Sequence, residues 1–203
     1  MNAIYFRALL AATLAFAAAC GDSDRTSTAT GLTATGRDPS RSTSLASSPE
    51  IHGLGFDGSA RGFPTGSVLL TGGGSFDAAT ATNTVPHETR VEANGGFRCA
   101  TTVAQGPLTG CLAGEGVRWD TEQLLASNTF KCSATDIARP AVTNSRTAVL
   151  IANFYRLRDG DVQSFRGQMI VSEADLAPDI PGDQHLWIQG VGCGGAAVHF
   201  SNN

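Results

Sequence analysis

The sequence predicts an all-β domain, an antiparallel β-sandwich or jelly-roll with one short helix, and three observations carry that expectation. Apolar residues come in short runs separated by Gly, Pro, Asn and Asp, the punctuation of antiparallel strands. Glycine supplies 24 of the 203 residues, about 12 % against a usual 7 %, while charged residues supply 16 % against a usual quarter. Two stretches alternate with period two: Phe165, Gly167, Met169 and Val171 share one face, as do Ala196, Val198 and Phe200 beside outward Ala197 and His199.

In chain order, Val68 to Leu70 opens the sheet and Gly72-Gly73-Gly74 closes that strand. Arg90 to Ala93 and Phe97 to Cys99 flank Asn94-Gly95-Gly96, whose Asn-Gly pair predicts a hairpin turn. Val117 to Trp119 is a further short strand. Asp120-Thr121-Glu122-Gln123 before Leu124-Leu125 has the form of a capping box and predicts the one helix. Phe130 to Cys132 resumes the sheet, and Thr147 to Arg156, the most apolar run, predicts a central strand buried on both faces. Glu173 to Asp183 contains Pro178 and Pro181 and is expected to be an ordered surface loop, followed by a strand over His185 to Val191.

Three segments are expected. Residues 1–19 read as an export signal: one basic residue, Arg7, precedes a run of small and apolar side chains from Ala8 to Ala19, too short to span a bilayer. Residues 20–60 read as a flexible linker, because Gly21 to Ala60 holds 8 Ser, 6 Thr and 6 Gly among 40 residues. As a coil it would span roughly 35 Å. Residues 61–203 are expected to form the β domain, large enough to bury nearly 70 % of its unfolded surface. The formal charge is −4, and −5 from Cys20 onward, which excludes the basic face of a nucleic-acid binder.

Ala17-Ala18-Ala19-Cys20-Gly21 resembles the lipobox of bacterial lipoproteins, with Ala17 where Leu is usual. That resemblance implies diacylglycerol on the Cys20 thiol, cleavage before it, and a membrane partner reached through the anchor. The chain would then be exported and held on the cell membrane or outer membrane, facing away from the cytoplasm. Parity agrees: Cys20 stands apart, whereas Cys99, Cys111, Cys132 and Cys193 form an even set suited to disulfides in an oxidising compartment. Of the three possible pairings, Cys99 with Cys111 and Cys132 with Cys193 is favoured, the first closing a loop that contains Gly106 and Pro107.

Other motifs yield little chemistry. Gly53-Leu54-Gly55-Phe56-Asp57-Gly58 and Gly190-Val191-Gly192-Cys193-Gly194-Gly195 match G-x-G-x-x-G but precede no helix, so they read as turn glycines and no cofactor is expected. No zinc or copper spacing links the thiols to His185 or His199, so no metal site is expected. The acidic groups Asp159-Gly160-Asp161 and Glu173, Asp175, Asp179 and Asp183 lack calcium-loop spacing and read as solvated surface.

Trp119, Tyr155, Trp187 and His185 are the candidate binding surface, with core packing as the competing role for the aromatics. The body also resembles a group of uncharacterised secreted bacterial proteins. Gly95-Gly96-Phe97-Arg98-Cys99, Gly114-Glu115-Gly116-Val117-Arg118-Trp119-Asp120 and Gly190-Val191-Gly192-Cys193-Gly194 are among the matching stretches, and no activity comes with them. The expected function is a membrane-anchored binding or envelope-structural module, its partner an envelope protein or a glycan. The alternative is a secreted hydrolase using His185 with a carboxylate of the Glu173 to Asp183 loop.

Overall fold

A computed structural model describes residues 49–84 and 88–202, so the signal segment, Cys20 and most of the expected linker lie outside the described residues. Eleven strands follow among them: β1 (Ile51–Gly62), β2 (Ser67–Asp77), β3 (Val91–Thr101), β4 (Arg118–Leu125), β5 (Ser127–Phe130), β6 (Arg139–Val142), β7 (Thr147–Tyr155), β8 (Phe165–Ser172), β9 (Leu186–Ile188), β10 (Gly192–Gly194) and β11 (Ala196–Asn202). All pairings are antiparallel, and nine strands form one sheet in the order β10-β9-β8-β7-β4-β3-β2-β1-β11. β1 carries β2 on one edge. Its other edge carries β11 over His52–Gly58 and β10 at Arg61 and Gly62, so the sheet curls round and meets itself.

Pairing thins to three residues between β3 and β4 and again between β8 and β9, which lets the sheet fold into two facing leaves. Their inner faces share one core. Phe56 of β1 packs against Trp119 of β4 with ring centroids 5.8 Å apart, and Phe97 of β3 meets Phe154 of β7 edge-on at 5.1 Å. This is the expected all-β antiparallel sandwich. From β1 to β10 sequence neighbours are sheet neighbours except where the β5–β6 hairpin intervenes, and β11 returns to pair with β1 beyond β10, a meander whose last strand closes on the first.

The expectation for β7 holds: Ala148, Leu150, Ala152 and Phe154 enter the inner core, while Val149 and Ile151 enter a second core on the outer side. The β5–β6 hairpin roofs that second core, with Phe130 tilted against Trp187 at 5.7 Å and the Trp187 indole donating to the Lys131 carbonyl at 2.8 Å. Both disulfides join the expected partners: Cys99–Cys111 ties β3 to the following loop, and Cys132–Cys193 ties the end of the hairpin to β10.

Four expectations are corrected. The sheet already includes Ile51 to Ala60, which were expected to be linker, because His52, Leu54 and Phe56 alternate inward and overrule the glycines between them. Asn94-Gly95-Gly96 is no turn. It runs through the middle of β3 opposite Thr71-Gly72-Gly73, and Gly72-Gly73-Gly74 likewise lies inside β2; Gly95 and Gly96 take no positive φ. A side chain at Gly95 would collide with the Thr71 carbonyl at 1.9 Å, so these glycines allow close strand approach. The expected helix at Asp120 is strand β4: Leu124 and Leu125 are buried in opposite cores, which consecutive strand residues achieve and a helix does not. Among the described residues, the helical ones form two three-residue 3₁₀ turns, Ala78–Thr80 and Leu157–Asp159.

Candidate functional site

A concavity of about 730 Å³ lies beside β1 at the end where the sheet closes. Ala60 and Val68 point into the core, so strand alternation turns Ser59 and Arg61 of β1, and their cross-strand partners Leu69 and Ser67 of β2, outward as its floor. Ser133 and the Cys132–Cys193 disulfide border one end. Ile180 to Gln184 forms the opposite wall.

That wall belongs to the loop between β8 and β9, which is ordered as expected. One oxygen of Asp175 accepts from the backbone of Ala177 at 2.9 Å and of Gln184 at 3.1 Å, bracing the loop from within. From outside, Arg139 of β6 grips both oxygens of Asp179 at 2.7 and 2.6 Å and also binds Asp136. The Arg139 guanidinium beside Asp136 holds that carboxyl below the usual carboxylate range, and Asp136 in turn holds Arg139 in its charged form.

The residues singled out as a binding surface do not come together. Trp119 is fully buried in the inner core, its indole donating to the Thr71 carbonyl at 2.8 Å, and Trp187 is buried in the outer core. Their contribution is packing, because each large ring fills space between layers. Tyr155 is half-buried on the outer face of β7 with the Arg118 guanidinium 3.7 Å above its ring. Its hydroxyl donates to Asp120 at 3.3 Å, and burial, then that carboxylate, pushes its ionisation up.

His185 is half-buried with its Nδ1 3.1 Å from the Ser172 carbonyl oxygen, and Ser172 shares its hydroxyl with Thr147 at 2.9 Å. Of the loop carboxylates, Glu173 engages Arg146 and the Phe200 amide, Asp175 and Asp179 are held as above, and Asp183 lines the groove. The acid, base and nucleophile that the hydrolase alternative requires are therefore not gathered around His185. Among the described residues no three His, Cys, Asp or Glu side chains converge as metal ligands.

Arg61, Ser59 and Ser67 were absent from the sequence-based candidates. The signal that finds them is the alternation running from His52 to Ala60, which places every odd-numbered residue of β1 on one face. Fold and groove together define a class, a disulfide-braced antiparallel β-sandwich with an open, hydroxyl-rich groove at its closed end. No protein-family model, curated protein or solved structure matches the chain.

Proposed function

We propose that the protein is an exported lipoprotein, held to a membrane through an acylated Cys20, whose β domain acts as a binding module for another component of the cell envelope. The pair of disulfides carries this reading, since such bonds persist in oxidising compartments and are reduced in the cytosol. They use four of the five cysteines and leave Cys20, at the end of an export-like leader, with acylation as its use. The groove supplies a ligand-sized site on a rigid scaffold. The mechanism is placement: a tethered module meets neighbouring envelope components at high effective concentration.

The test is expression of the full chain in a bacterial host, followed by fractionation and mass spectrometry of the first peptide. The expected result is diacylglyceryl-Cys20 in the membrane fraction, with Cys20→Ser moving the protein to a soluble extracytoplasmic fraction. An unmodified Cys20 in soluble protein would overturn the reading.

A further inference from the structure

We propose that the groove beside β1 binds an extended peptide through a carboxylate, with Arg61 as the anchoring cation; this rests on reading the domain as a binding module. Arg61 is conspicuous for what it lacks. Among the described residues, seven of the nine arginines have a carboxylate oxygen within 4.0 Å, and Arg61 is one of the two that do not. It faces the groove from β1, between the hydroxyl-bearing Ser59 and Ser67, while Asp183 stands on the opposite wall without reaching it.

The remaining lining selects among carboxylate ligands. Among the described residues no aromatic side chain lines the groove, so they offer no flat apolar platform on which a sugar ring would stack. An inorganic anion would occupy only a corner of about 730 Å³. Leu69, Ile180 and Pro181 line the groove together with Ser59, Ser67 and Ser133, and such mixed apolar and polar lining matches the alternating side chains of an extended peptide. A guanidinium fork recognises a carboxylate with two parallel hydrogen bonds, and both groove walls are fixed before a ligand arrives. Asp183 opposes a second carboxylate on its side and so orients the peptide.

The experiment is fluorescence anisotropy with the purified full chain and a labelled peptide of alternating Ala and Glu, beside its Gln counterpart. Binding of the Glu peptide alone is expected, falling about tenfold or more in Arg61→Gln and holding or tightening in Asp183→Asn. Both positions are exposed, and circular dichroism verifies the fold of each variant. Equal binding of the Gln peptide, indifference to Arg61→Gln, or displacement by inorganic phosphate at equal concentration would overturn the proposal. None of these results depends on whether Cys20 is acylated, so the two readings fail separately.

Discussion

Gly72 is the position where the packing argument is most exposed to refutation. An alanine there would place its Cβ 2.2 Å from Cζ2 and 3.0 Å from Cε2 of Trp119, and 2.8 Å from the Asn94 carbonyl oxygen. Carbon atoms rest about 3.5 to 4.0 Å apart, so the indole must retreat by more than about 1 Å. It cannot do so freely: Trp119 is fully buried, hydrogen-bonded to Thr71 at 2.8 Å and backed by Phe56. Overpacking costs about 1 to 3 kcal/mol and a weakened indole hydrogen bond about 1 more, giving an expected loss of about 2 to 4 kcal/mol for Gly72→Ala. Gly55→Ala is the control, because a Cβ there meets nothing within 4 Å and the change should lie within about 1 kcal/mol of neutral. Urea unfolding followed by tryptophan fluorescence reads both as midpoint shifts at constant slope. Trp119→Phe should recover part of the loss in the Gly72→Ala background but not in the Gly55→Ala background. Equal midpoints for the two alanine variants would refute the claim that Gly72 exists to seat the indole.

The other predictions concern cross-links and charge. Replacing both cysteines of Cys132–Cys193, which are 61 residues apart, should cost about 4 kcal/mol, against about 3 for Cys99–Cys111 at a separation of 12; unfolding of the two serine double variants checks the order. Asp136 is held below its ordinary range chiefly by Arg139, Asp159 chiefly by Ser164 and then Arg156, and Glu122 chiefly by Arg166. Depressed folded-state values mean that their contribution is present above the unfolded range near 4 and lost as pH falls through the folded values. The melting temperature should therefore hold steady from neutral pH to about 5 and drop below about 4, with a shallower drop in Asp136→Asn. A melting temperature that rises on acidification would contradict these ion pairs.

The sheet was legible where burial is one-sided or two-sided in an ordinary way. β7, β8 and β11 announced themselves by apolar run or alternation, and the cysteine set paired as loop composition suggested. What misled was glycine. In Asn94-Gly95-Gly96 and Gly72-Gly73-Gly74 it marks close strand approach beneath an indole contributed by β4, a long-range demand that local punctuation rules read as turns. The same composition hid most of β1, Ser59 included, inside an apparent linker ending at Ala60, so part of the groove floor was lost along with the strand. The capping box at Asp120 failed for a different reason. Its carboxylate is spent on Arg118 and Tyr155, and two cores compete for Leu124 and Leu125.

The location of the groove and the location of the cross-links have one physical cause. His52 at the start of β1 pairs with Asn202, whereas Arg61 near its end pairs with Cys193, so chain entry and groove lie at opposite ends of a strand about 36 Å long at 3.3 Å per residue. At the groove end the sheet closes through Arg61 and Gly62 of β1 paired with Cys193 and Gly192 of β10, flanked by backbone hydrogen bonds from Ser59 to Gly195 and from Phe63 to Val191, each 3.1 Å. The Cys132–Cys193 bond crosses beside that pairing, and the carbonyl of Cys132 sits so near Gly62 that a Cβ there would lie 2.1 Å from it. The disulfide thus fastens β10 to the β5–β6 loop, whose Cys132 carbonyl abuts Gly62 of β1, so one end of the groove is bordered by a covalent cross-link.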